Sequence, residues 1–112
     1  MKILALEHEL PGATREQFQE YAVLEARKAW ELHQAGMIRE LYFRANHNEA
    51  VLVLECGTIY DAEAILSTLP MVRAGLIKFE LIPLKPYAGF ERLFAKTVVS
   101  QPSNSVEAIA HH

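Results

Sequence analysis

The sequence is poor in the features that would assign its chemistry at once. It has a single cysteine, Cys56, so no internal disulfide can form, and its apolar surroundings in Val51-Leu52-Val53-Leu54 mark it as a small buried hydrophobe rather than a reactive thiol. It has no basic excess: the net charge is -3, whereas a nucleic-acid-binding surface needs clustered lysine and arginine. No apolar run approaches the roughly 20 residues that span a bilayer, and the first strand pattern begins at Lys2 without the features of a signal peptide. The expected compartment is the cytosol, with neither nucleic acid nor membrane as partner. Also missing are a glycine-rich phosphate loop, a GxSxG elbow, a CxxC pair and any histidine pair at metal-ligand spacing. No metal and no cofactor are therefore expected, and the terminal His111-His112 lacks the further ligands that would make it a metal site.

What remains is a chain of 112 residues, 51% hydrophobic and 22% charged, which is enough apolar material for one folded core and too much for a disordered polymer. Lys2 to Glu9 reads as a strand stopped by Leu10-Pro11-Gly12. Thr14 and Gln17 have the spacing of a capping box for a first helix, which Gly36 is placed to end. On that helix Phe18, Ala22, Ala26, Ala29, Trp30 and His33 recur at intervals of three and four, with Glu16, Glu20, Glu25, Arg27, Lys28 and Glu31 over the remainder. His33, close to the helix end, suits a hydrogen bond or the C-terminal dipole better than catalysis, and Trp30 an anchor in the core or an interface.

Met37 to Arg44 and Ala50 to Cys56 predict a hairpin around Ala45-Asn46-His47-Asn48-Glu49. Pairing Arg44 with Val51 sets Glu40 opposite Glu55 and puts Glu40, Tyr42, Arg44 and Glu55 on one face, leaving Leu41, Phe43, Leu52, Leu54 and Cys56 on the helix side. Thr58 and Asp61 can cap a second helix, buried through Ala62, Ile65, Leu66 and Leu69 and stopped by Pro70. A last strand, Leu76 to Leu84, turns Phe79 and Leu81 toward the helices and Lys78 and Glu80 away from them; His8 of the first strand is expected on the helix side. The order βαββαβ is that of an α+β, ferredoxin-like domain with two helices on one face of a four-stranded antiparallel sheet.

The other face would expose Val51, Val53, Leu76 and Ile82 among charges, and an apolar patch of that kind wants a partner. A homodimer with the two sheets face to face would bury it around a small, partly polar chamber. Residues 1–95 form the expected domain, including a short aromatic segment from Phe90 to Phe94 that docks on its own or a neighbouring subunit, and residues 96–112 a mobile tail.

Four stretches, Glu31-Leu32-His33-Gln34-Ala35-Gly36, Arg39-Glu40-Leu41-Tyr42, Leu66-Ser67-Thr68-Leu69-Pro70 and Phe79-Glu80-Leu81-Ile82-Pro83-Leu84, resemble the muconolactone isomerase family over roughly Met1 to Tyr87. The resemblance implies a dimeric α/β barrel, often assembled into larger rings, and a cofactor-free proton shift on an unsaturated lactone from aromatic-ring catabolism. Where the family's second strand reads H-L-W-R, this chain has Glu40-Leu41-Tyr42-Phe43, and the family's polar first-strand positions fall on Ile3 and Ala5, with Glu7 keeping an acidic character.

A proton shift beside a lactone carbonyl needs a base titrating near neutrality and a donor for the enolate oxygen. Glu80 and Glu40, both directed to the chamber, are the candidate bases, and Tyr42 and Arg44 the candidate donors. Glu7, Val53 and Lys78 are the expected substrate contacts. Two other functions stay open: a cofactor-free monooxygenase-like enzyme of the same barrel, and a non-catalytic ligand-binding or structural oligomer.

Overall fold

The computed structural model describes residues 1–94; the proposed tail, 96–112, lies outside the described residues. Four strands, β1 (Lys2–Glu9), β2 (Ile38–Phe43), β3 (Ala50–Glu55) and β4 (Ile77–Leu84), form one antiparallel sheet in the order β2-β3-β1-β4. Helix α1 (Arg15–Gln34) follows β1, while α2 (Ile59–Leu66) and a one-turn α3 (Pro70–Arg73) join β3 to β4. The architecture is α+β and ferredoxin-like, as the periodicity predicts.

Local chemistry fixes the ends of the elements. The Gln17 N–H donates to Thr14 Oγ1 at 3.3 Å and the Thr14 N–H to Gln17 Oε1 at 2.9 Å, closing the capping box of α1. Thr58 and Asp61 repeat that exchange for α2. At the far end of α1, Gly36 takes φ +80, and the Met37 and Gly36 N–H groups donate back to Leu32 and His33, a Schellman ending. His33 Nδ1–H donates to the Ile38 carbonyl at 2.8 Å, tying the helix end to β2.

Pro70 does not stop α2, which already ends at Leu66; it opens α3, at the first helical position, where its missing N–H has no partner to lose. Gly75 then ends α3 with a second Schellman motif, its Leu76 N–H donating to Met71 O at 3.0 Å. This corrects the expectation for Leu76. It is not on the open face but 2% exposed, held in the interior by the turn that precedes β4.

The hairpin closes two residues tighter than predicted. The Arg44 N–H donates to Glu49 O, Tyr42 faces Val51 and Glu40 faces Val53. That register avoids setting Glu40 against Glu55 and frees Glu55 to bind the N-terminal ammonium at 2.7 Å. A shift of two preserves the faces. A bulge then intervenes: Ile38 pairs with Leu54 and Glu40 with Val53, so Arg39 is the extra residue and Ile38 turns fully into the core.

On the helix side of the sheet Ile3, Ala5, Ile38, Leu52 and Leu54 pack with Ala62, Leu66 and Leu69 of the α2–α3 segment. Leu32 is the one buried residue of α1. Trp30, 58% exposed, leans on the His33 ring instead of anchoring the core of the chain. After β4 a 3₁₀ turn (Gly89–Leu93) holds Phe90 edge-on to Tyr87. Phe90, Leu93 and Phe94 remain exposed, so this segment is not docked on its own subunit.

Candidate functional site

The two faces of the sheet carry different chemistry, and pairing decides which residues share each. On the open face one row across the strands runs Tyr42, Val51, Leu6, Glu80, and the next runs Glu40, Val53, Leu4, Ile82. Tyr42 donates its hydroxyl to Glu40 Oε1 at 2.6 Å, and that bond to a carboxylate raises the phenol's pKa. Val53 lies beside this pair. Lys78 and Glu80 sit on β4, the opposite edge strand, where Glu80 Oε1 accepts from His8 Nε2 at 3.2 Å. His8 is thus on the open face, contrary to expectation, because it shares the parity of Leu4 and Leu6. Arg44 lies at the start of the hairpin turn, 3.5 Å from His47 Nε2, which contacts Glu49 Oε1 at 2.8 Å.

The open face therefore brings Glu40, Tyr42 and Val53 together at one edge and Glu80 with Lys78 at the other. β3 and β1 lie between them, a span of roughly 14 Å at the normal strand spacing. Within one subunit these groups do not converge on a single small substrate.

Glu7 points the other way. In β1 the odd residues face the helices, so Glu7 follows Ile3 and Ala5 inward and is only 8% exposed. There it borders a cleft of about 880 Å³ between α1 and the sheet. Small side chains hold the cleft open: Ala22, Ala26 and Ala29 are the lining that α1 offers at these positions, with Phe18 beyond them. Leu52, Leu69 and Phe79 line it from the sheet and the α2–α3 segment, and residues 41–43 from β2.

Burial is the main cause that pushes the Glu7 carboxyl from the usual 4.5 up to about 7. A hydrogen bond from the Ala50 backbone opposes it, and the charges of Glu25, Glu49 and Glu9 add to it. Glu25 lines the same cleft and is also raised by burial, against the pull of the Met71 N–H that it accepts at 2.9 Å. This differs from the expectation that Glu25 belongs with the surface charges of α1. Its place was nonetheless encoded, since it stands three residues after Ala22 and four before Ala29 on the same stripe. A half-ionised carboxyl walled by hydrocarbon can accept and return a proton near neutral pH, which no ordinary surface glutamate does well.

Among the described residues no group of three or more histidine, cysteine, aspartate or glutamate side chains is arranged to hold a metal ion, and no helix is long and apolar enough to cross a membrane. Cys56, half-buried, donates weakly to Thr58 O at 3.5 Å, and burial raises its thiol pKa.

No protein-family profile matches the chain, and no curated protein sequence matches it. Solved structures do. Muconolactone isomerase superposes with a TM-score of 0.66 at 19% identity, over 79% of this chain and 92% of that one. A 5-chloro-2-hydroxyhydroquinone dehydrochlorinase from Burkholderia phenoliruptrix, in complex with 2,5-dihydroxybenzoquinone, gives 0.58 at 16% identity, over 78% of this chain and 96% of that one. The likeness read from Glu31–Gly36, Arg39–Tyr42, Leu66–Pro70 and Phe79–Leu84 is thus a likeness of fold: the described chain is an α+β, ferredoxin-like domain built as muconolactone isomerase is.

Proposed function

We propose that the protein is a cofactor-free isomerase that moves a proton on a small, largely apolar lactone or related carbonyl compound, and that Glu7 carries the proton. The observation that supports this most is a single one: a carboxyl almost wholly buried, on the wall of an apolar cleft large enough for a ring compound. The solved relatives of the fold act, by their names, on a lactone and on a chlorinated hydroxyhydroquinone.

In this mechanism the Glu7 carboxylate removes the proton from the carbon next to the lactone carbonyl. The electron pair spreads into a dienolate, and the same proton returns at the far end of the conjugated system, so that the double bond shifts and nothing is gained or lost. Arg15 and Gln19, which line the cleft, are the N–H donors on α1 for the enolate oxygen. Glu40, Glu80, Tyr42 and Arg44, with Val53 and Lys78, stay proposed as residues of a secondary site that carries no proton in this reaction, formed only where a second subunit brings its open face to theirs. We propose that homodimer too, on the half-exposed Leu4, Leu6, Val51, Val53 and Ile82 of the open face.

The test is the isomerisation of α-angelica lactone to its conjugated isomer, followed by ultraviolet absorbance. Glu7→Gln is expected to lose on the order of 100-fold or more in kcat/KM, as removal of a general base does, while Glu40→Gln and Glu80→Gln keep most of the wild-type rate. Full turnover by Glu7→Gln would move the base elsewhere. A protein that binds the lactone without turning it over would be a ligand-binding oligomer instead.

A further inference from the structure

The charges of the cleft select among ligands in a way that its apolar walls do not. Four acidic or basic side chains line it: the carboxyls of Glu7, Glu9 and Glu25, and the guanidinium of Arg15. Arg15 is exposed, at the first position of α1, where solvent weakens its field. Glu7 is buried and Glu25 half-buried, so both act through a medium that screens less than bulk water. The aromatic rings of Phe18 and Phe79 form part of the wall.

We propose that this cleft takes an uncharged, hydroxyl-bearing ring compound and rejects the same ring carrying a carboxylate. The proposal rests on reading the cleft as the ligand site and narrows its substrate class. A ring of that kind places its faces against hydrocarbon and phenyl groups and donates its hydroxyl to Glu7, which has ionised capacity to accept at neutral pH and above. A carboxylate on the ring would be desolvated on entry and set against one buried and one half-buried carboxyl, with one exposed guanidinium to offset them. Glu25 is then a specificity-determining residue. Its Oε1 accepts the Met71 N–H at 2.9 Å, which fixes its charge at the cleft wall instead of letting it swing into solvent. Around Glu7 the other facing charges, Glu49 from the hairpin turn and Glu9 from its own strand, have the same sign.

The test compares two nearly isosteric probes, 4-hydroxybenzamide and 4-hydroxybenzoate, by isothermal titration calorimetry on the full chain at pH 8. The amide is expected to bind about tenfold or more tightly than the acid, one Coulombic repulsion at partly buried distance. Glu25→Gln, which keeps an acceptor for Met71, is expected to narrow that ratio. Ala26→Phe, which fills the cleft, is expected to abolish binding of the amide. Equal or tighter binding of the acid, no binding of either probe, or amide binding that survives Ala26→Phe would each overturn the proposal. A preference for the amide in a protein that leaves α-angelica lactone unchanged would sink the catalytic reading alone.

Discussion

Glu7 is where the physical chemistry of the chain is least ordinary. Its carboxyl keeps a proton up to about pH 7 in the folded protein against the usual 4.5, because burial disfavours the charged form. Between those two values the folded state binds more protons than the unfolded chain, so stability falls as pH rises through the window, and the penalty is absent below it. Glu7→Gln is therefore expected to match wild type near pH 4.5 and to exceed it above pH 7 by about 2 kcal/mol, the shift being discounted for the cleft that the carboxyl borders. Urea unfolding of both proteins at the two ends of that window measures the difference. Glu25→Gln removes one of the like charges that raise Glu7 and is expected to lower the Glu7 midpoint.

At the scale of elements, α1 matters for what it does not fill. Its alanines leave the cleft between helix and sheet, while Leu32 and the His33 bond to Ile38 secure only the C-terminal end. Ala26→Phe is thus expected to fold, with a melting temperature equal to or above wild type as apolar area is buried, and to lose ligand binding. Gly36→Ala, at φ +80, is expected to cost about 1 kcal/mol by forcing a side chain into the left-handed region.

Periodicity and capping residues made these elements legible in the sequence: Thr14 with Gln17, Thr58 with Asp61, and the alternation in β1 and β4 all act locally. The bulge at Arg39 was not legible as such: its one trace is that the apolar Ile38 stands at odd spacing from Leu41 and Phe43, and the extra residue shows only once β3 is beside it. Nor was the cleft. The stripe Phe18, Ala22, Ala26, Ala29 reads as a packing surface, and nothing in it says that the surface stands away from the sheet. The parity that places Ile3 and Ala5 inward also places Glu7 there, so the direction of its side chain was available from the sequence while the space it faces was not.

For the whole molecule, the helix side of the sheet supplies the core and the cleft, and the open side supplies a surface with Leu4, Leu6, Val51, Val53 and Ile82 between two charged edges. Sedimentation or light scattering at micromolar concentration is expected to give a homodimer, and Val53→Asp, in the middle of that surface, to shift it toward monomer without unfolding the chain; a wild-type monomer would remove the case for face-to-face sheets. The exposed Phe90, Leu93 and Phe94, which follow β4 in the chain, are expected to add a second apolar contact to that assembly. The division of labour between the two faces turns on one group. Carbon-13 NMR titration of the Glu7 side-chain carboxyl measures it without any substrate: a midpoint close to 7 is expected if the acid–base chemistry resides in the cleft beneath α1, and a midpoint near the usual 4.5 would contradict it.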